Sequence, residues 1–325
     1  MKRCAHKHRV PPLRSLLAAL PIALALVVTP TEAQIYSWVD ENGLRHYSDR
    51  RPDSDQAVET LGIPHEPRSM VTARRGGERH QPEHFFRNLY HGPAQIELFL
   101  AEADNVLSVP PLPARFVIPG NREQGLVQFG AVDPTAAFSY RLSYKLVPGE
   151  PFERVPDDLD YFPPFARGKT FSISQGMDDD HTHNDAANRY AVDIVMPMGT
   201  PVLAARSGVV MESEGTFPDD GRKDKSLLDQ ANFIRLLHDD GTMAIYAHLQ
   251  QHSLRVQPGM KVPAGHWIAN SGNSGFSSGP HLHFVVQMNI GMALEALPLR
   301  FRQPDGTLLD PDRAQPLEGV LAFRR

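Results

Sequence analysis

The stretch of this chain richest in reactive side chains is Gly279-Pro280-His281-Leu282-His283-Phe284. Residues i and i+2 of a strand face the same way, so His281 and His283 present both imidazoles on one side. Leu282, Phe284 and Val286 form the apolar opposite face, and Gly272-Asn273-Ser274-Gly275 and Gly279-Pro280 supply turns ahead of it. Paired imidazoles suit a metal or proton-transfer site; the alternative is a plain polar strand face, and further ligands decide. Asp193 interrupts the apolar run Tyr190-Ala191-Val192-Asp193-Ile194-Val195, which predicts a carboxylate buried on one side. Such a group requires a cation or strong hydrogen bonds, or else serves as a satisfied structural carboxylate. Upstream, His183 lies in the loop Asp180-His181-Thr182-His183-Asn184. One Asp and two His make a three-ligand zinc set with an open position for water, the catalytic rather than the structural pattern.

A further element is Thr242-Met243-Ala244-Ile245-Tyr246-Ala247-His248-Leu249, which follows the turn Asp239-Asp240-Gly241 and pairs with residues 232–237 as a hairpin. Alternation predicts Tyr246 and His248 on one face. At this point the chain resembles the lysostaphin-type (LytM-like) zinc endopeptidases, peptidase family M23, which cut peptide bonds in bacterial peptidoglycan. The resemblance covers residues 170–301. It is carried by Tyr190-Ala191-Val192-Asp193, Gly199-Thr200-Pro201-Val202, Tyr246-Ala247-His248-Leu249, Ser271-Gly272-Asn273-Ser274-Gly275 and Gly279-Pro280-His281-Leu282-His283-Phe284.

The resemblance implies that His183, Asp193 and His283 bind zinc and that His248 and His281 sit beside the water the metal activates. One departure stands out. The commonest family spacing places the first His four residues before the Asp, where this chain has Arg189, so the ligand comes from the upstream loop: His183, with His181 as its rival. Zinc would polarise the scissile carbonyl and lower the pKa of water, and a neighbouring imidazole would take the proton or stabilise the oxyanion. No His-Glu-x-x-His motif is present, and the single cysteine, Cys4, argues against a cysteine protease.

The remaining sequence frames this domain. Residues 1–33 read as a signal peptide, with basic Lys2, Arg3, Lys7, Arg9 and Arg14, an apolar core over 16–28 and Thr31-Glu32-Ala33 before Gln34; a signal anchor is the alternative. Cleavage would remove a net +4 and take the formal charge from −5 to −9, which argues against a nucleic-acid partner. No other stretch reads as membrane-inserting. Residues 34–63 resemble a short aromatic module of bacterial envelope proteins, the DUF4124 type, a hairpin around Asn42-Gly43 in which Trp38 and Tyr47 are expected to pack together. Residues 64–84 read as a linker, 85–155 as a small β module, 160–302 as the zinc endopeptidase domain and 303–325 as a C-terminal tail. Strands are predicted over 95–100, 115–118, 125–129 and 138–146, then 170–174, 191–195, 202–204, 208–211, 232–237, 243–249, 267–269 and 283–287. The fold class expected is mainly β, an antiparallel catalytic domain preceded by the β module and the hairpin module. The charged insertion from Pro218 to Gln230 reads as a loop, either on the cleft rim or idle in solvent.

The functional expectation is an exported, periplasmic zinc endopeptidase acting on peptidoglycan stem peptides or cross-bridges, with an envelope protein as an additional partner. The alternatives are a non-catalytic peptidoglycan-binding regulator that activates a cell-wall amidase, and a secreted lytic factor.

Overall fold

The computed structural model describes residues 35–39, 45–48, 59–61, 69–152, 154–156, 159–177 and 183–324. The signal segment, the Asn42-Gly43 turn, the Asp178–Asp180 run and His181 lie outside the described residues. The chain divides into residues 1–65 and 66–325. In the first unit, β1 (Ile35–Val39), β2 (Arg45–Ser48) and β3 (Glu59–Leu61) form an antiparallel sheet in the order β2-β1-β3. Its register sets Trp38 opposite His46 and Tyr47 opposite Ser37, so the two aromatic positions are not cross-strand partners.

The second unit is mainly β, with no α-helix among the described residues. Its first part comprises β4 (Val71–Glu78), β5 (Gln81–Asn88), β6 (Ala94–Asp104), β7 (Val106–Val109), β8 (Ala114–Ile118), β9 (Glu123–Ala131) and β10 (Ser139–Pro148). They make two sheets, β4-β5-β9-β7 and β10-β6-β8, closed over Val71, Phe86, Ile96, Leu98, Ile118 and Phe129. Leu142 and Leu146 pack against that core from β10, as its alternation predicts. The linker expectation for 64–84 needs correction: β4 and the first half of β5 occupy most of it. β4 is an edge strand whose buried apolar anchor is Val71, and such a polar strand carries no alternating signal to separate it from a linker.

The rest comprises β11 (Asp160–Tyr161), β12 (Thr170–Gln175), β13 (Val192–Ile194), β14 (Pro201–Leu203), β15 (Gly208–Glu214), β16 (Phe233–Leu237), β17 (Met243–Ala247), β18 (Lys261–Val262), β19 (Trp267–Asn270), β20 (Leu282–Asn289), β21 (Leu294–Ala296), β22 (Arg300–Arg302), β23 (Leu308–Leu309) and β24 (Pro316–Glu318). A nine-stranded sheet runs β18-β15-β16-β17-β20-β13-β12-β24, with β21 also paired to β20. One face carries Val192, Ile194, Ile234, Leu236, Ala244, Tyr246, Phe284 and Val286 into the main core. Residues one position out of phase, Ile245, Ala247 and Val285, form a smaller cluster on the other face. β20 is central; Leu282, Phe284, Val286 and Met288 make one phase of its sequence apolar, while the other carries His283, Val285, Gln287 and Asn289. The tail expectation for 303–325 also fails: β23 pairs with β22, β24 pairs with β12, and Leu317 is fully buried. Its apolar residues come in short clusters, Leu308-Leu309, Leu317 and Val320-Leu321-Ala322-Phe323, too brief to show a strand period.

The two parts of this unit share a seam. Tyr90 and Ala94 pack on Met211 and Met243, and Gly92 approaches so closely that a Cβ there would lie 2.8 Å from the Leu237 side chain. The fully buried Asn289 amide donates to Gln95 Oε1 and to the Gly149 carbonyl across the seam.

A buried imidazole beside the main core makes this unit acid-sensitive. His238 is 3% exposed, its Nδ1 lies 2.8 Å from the Ser207 carbonyl, and its Nε2 has no partner. Burial pushes its pKa down to about 4, with the Ser207 hydrogen bond opposing that shift. The unfolded chain takes up this proton near 6.5 and the folded chain only near 4. Stability is therefore fully present above the unfolded value and falls as pH drops through this window, by roughly 2 kcal/mol at pH 5. His238→Gln is expected to lose about that much less stability between pH 7 and pH 5, read from urea midpoints. An equal loss in both proteins would remove His238 as the cause.

Candidate metal and catalytic site

Register brings the predicted residues together. Asp193 in β13 stands opposite His283 in β20, and His283 stands opposite Ala247 in β17, so the three occupy one row across the sheet. All three lie on the face away from the main core, where the small side chains of Ala191, Ala247 and Ala296 keep the surface low. Asp193 Oδ1 is 3.0 Å from His283 Nδ1, 3.4 Å from His183 Nε2 and 3.8 Å from His281 Nε2. Burial alone would raise the Asp193 pKa, but hydrogen bonds with His183 and His283 outweigh it and hold the carboxyl well below its usual range.

His183 reaches this row from the loop before β13. Asp185 shapes the connection: its Oδ1 accepts the Ala187 N–H, and its carbonyl accepts the N–H groups of Asn188 and Arg189. Arg189, which occupies the commoner ligand position, pairs with Glu295 and stacks on Tyr190 instead. His183 is 6% exposed and its Nδ1 is buried without a hydrogen-bond partner. The nitrogen it turns toward Asp193 is Nε2, the atom that a metal shared with that carboxylate would take. His183, Asp193 and His283 each offer one ligand atom, all within 4.8 Å of one another, a group that could hold a metal ion. Nitrogen and carboxylate donors of this kind suit zinc.

Two more imidazoles border this group. His281 directs Nδ1 to the Gly279 carbonyl at 2.8 Å, with Ser277 Oγ at 3.3 Å. His248 directs Nδ1 to the Ser274 carbonyl at 2.7 Å. A carbonyl only accepts, so both rings carry their proton on Nδ1 and leave Nε2 as the basic atom. The His281 and His248 rings are 4.6 Å apart, and His248 and His283 5.9 Å. Burial, then the neighbouring His281 and His283, push the His248 pKa down to about 3.

The alternation predicted for Tyr246 and His248 does not hold. Tyr246 points into the main core, where its hydroxyl accepts the Ala205 N–H at 2.8 Å. β17 ends at Ala247, and His248 takes φ 58°, a left-handed conformation that turns its ring to the side of His281 and His283. For a non-glycine residue that conformation is uncommon and costs about 1 kcal/mol or more.

The sequence reading takes the loop from Ser271 to Gly279 as turns and as part of the family resemblance, with no role at the histidines. Its carbonyls at Ser274 and Gly279 set both histidine tautomers, and the density of Ser and Gly there was the available signal. The charged insertion braces this loop rather than hanging idle. Asp219 accepts the Gln251 N–H at 3.1 Å and the Asn273 N–H at 3.4 Å, Gly221 N–H donates to the Asn273 carbonyl, and Leu227 is buried.

Known proteins share this region. Residues 187–294 match the family model of peptidase family M23, and residues 22–74 match that of a domain of unknown function, DUF4124. Glycyl-glycine endopeptidase ALE-1 of Staphylococcus capitis is 37% identical over 106 residues, covering 32% of this chain and 26% of that protein. Peptidoglycan DD-endopeptidase ShyA of Vibrio cholerae is 32% identical over 117 residues, 35% of this chain and 24% of that protein. The solved catalytic domain of lysostaphin from Staphylococcus simulans is 29% identical, with coverage of 40% of this chain and 86% of that one and a TM-score of 0.27. The chain thus spans about a quarter of the length of the two curated relatives.

Proposed function

We propose, from the match of residues 187–294 to the model of peptidase family M23, that the chain is a member of that family and an exported, zinc-dependent endopeptidase acting on peptidoglycan stem peptides or cross-bridges. The observation that carries this reading is the convergence of His183, Asp193 and His283 within 4.8 Å, with His183 turning its Nε2 toward Asp193. In this reading those three residues hold the zinc, which when bound supplies Lewis acidity toward a carbonyl and lowers the pKa of water.

The chain's own residues do the rest. His248 and His281 present an unprotonated Nε2 each, held by carbonyls behind the rings, and one of them accepts the proton of the attacking water at that atom. That ring then delivers the proton from its Nε2 to the leaving amine as the C–N bond breaks, while the other, when it carries a proton from solvent at Nε2, donates a hydrogen bond to the oxygen on which charge develops. The low surface over Ala191, Ala247 and Ala296 lets an extended peptide lie along the sheet with its carbonyl near these rings. Among the described residues no helix is long and apolar enough to cross a membrane, and the basic and apolar pattern of residues 1–33 supports export to the periplasm.

The amidase-activating alternative requires a site without its ligands, and the His, Asp and His set argues against it. Purified protein incubated with isolated peptidoglycan is expected to release new peptide ends identifiable by mass spectrometry. Chelator should abolish them and added zinc restore them. A zinc-loaded protein that releases none would overturn the peptidase reading.

A further inference from the structure

The β module contains a groove whose sign is opposite to that of the molecule. On β4 and β5, Ala73 stands opposite Phe86 and Arg75 opposite His84, so Val71, Ala73, Arg75, His84 and Phe86 share the inward face. Val71 and Phe86 are sealed in the core, yet Arg75, further along the same face, is exposed. An inward-facing guanidinium means that the two sheets part at this end of the sandwich. The gap is a cavity of about 1330 Å³ with β4 on one side and β10 on the other. Aromatic rings line it: Tyr140 stacks on Phe129 at 4.1 Å and on Phe138 at 6.2 Å, and Tyr144 meets Phe86 edge-on.

Charge selects what fits there. No carboxylate lines the cavity, whereas Arg74, Arg75, Arg79 and Arg141 do. Arg74 is neutralised by Glu123 and Arg141 by Glu102. Arg75 and Arg79 have no such partner among the described residues. Arg75 is close enough to His84 and Tyr140 to act on both rings, and burial together with Arg75 keeps His84 below its ordinary pKa. The whole chain carries −5, so this groove is a local positive field suited to an anion. β4 and β10 are also the outermost strands of their sheets, each with backbone donors and acceptors unpaired along one edge. Such edges receive an extended peptide, with alternate side chains falling between the sheets.

We infer that the groove between β4 and β10 binds an extended peptide bearing free carboxylates, the uncut stem peptide of the polymer named under the proposed function, on which this inference rests. The carboxylates meet Arg75 and Arg79, and the aliphatic parts lie on Tyr140 and Phe138. None of the groove residues belongs to the peptidase sheet, so the site holds substrate without cutting it. In the uncut polymer the lactyl carboxyl of each muramic acid is held in the amide bond to its peptide, so the glycan there leaves the two arginines unanswered.

The test uses the full chain with chelator present and a synthetic stem tetrapeptide, L-Ala–γ-D-Glu–meso-diaminopimelate–D-Ala, titrated by calorimetry. Saturable binding is expected, weakened at least about tenfold by Arg75→Glu, by Arg79→Glu and by amidating the peptide's carboxylates, and weakened by added salt. Both arginines are exposed, and unaltered thermal unfolding of the variants confirms that folding is not the cause. Wild-type affinity in both arginine variants, equal binding of the amidated peptide, or binding of peptide-free glycan in place of the tetrapeptide would each overturn the inference. Chelator-sensitive cleavage without tetrapeptide binding would sink this site alone; tetrapeptide binding without cleavage would sink the peptidase reading alone.

Discussion

Changing Asp193 or His283 to alanine is expected to strip the purified protein of zinc and of peptidoglycan cleavage together. Asp193 Oδ1 is the atom around which the imidazoles of His283, His183 and His281 gather, at 3.0, 3.4 and 3.8 Å. Its removal deletes one donor and leaves three rings with nothing to converge on. Loss of a partner that merely orients a ligand typically costs 10–100-fold in affinity, so loss of a ligand should exceed about a hundredfold. His183→Ala should behave the same way, because its unpartnered Nδ1 belongs to a ring buried beside Asp193, while His181→Ala should keep both metal and activity. Metal analysis after dialysis is the measurement. Stoichiometric zinc in Asp193→Ala or His283→Ala would end the assignment, and zinc loss confined to His181→Ala would transfer the ligand role to that residue.

The second large effect is catalytic rather than structural. His248→Ala and His281→Ala should each lower turnover by about two or more powers of ten, the usual cost of losing a general base or an oxyanion donor. Zinc content should stay near one per chain. The structure refines how acid would act on this pair. Burial and the adjacent rings hold the His248 pKa down to about 3, so it stays unprotonated across neutral and mildly acidic pH. Its contribution is therefore tested by substitution, not by a pH scan. Turnover near wild type in both variants would refute these roles, and zinc loss in either would make that residue a ligand.

The residues of this site were more legible in the sequence than their orientation. His281, His283 and Asp193 could be read because strand periodicity fixes side-chain direction from spacing alone, and β13 and β20 are regular. His248 defeated the same rule because the chain leaves the strand at Ala247 and turns left-handed. Periodicity ends where the ladder ends. His183 was placed through resemblance; the Asp185 turn that delivers it depends on local hydrogen bonds with no hydrophobic pattern. The same physics explains the elements that were missed. β4, read as linker, buries its anchor at one end and shows arginines and glycines elsewhere, and β24 is held by the fully buried Leu317 in a strand too short for any period. Marginal strands are stabilised by what they pack against, and that partner is remote in sequence.

The seam at Gly92 and Asn289 bears on how the protein can be divided. A fragment beginning near residue 160 would uncover Met211 and Met243, which Tyr90 and Ala94 now cover, and would strand the Asn289 amide without Gln95 and Gly149. Newly bared methionine surface of this sort invites self-association. Because the two parts interlock through apolar packing and a fully buried amide, they are built to melt in one cooperative transition rather than as beads on a string. A Cβ at position 92 would lie 2.8 Å from Leu237 and 3.0 Å from Met211, so these two side chains would have to shift to admit even an alanine there. The β module is thereby a load-sharing part of the body that carries the candidate site.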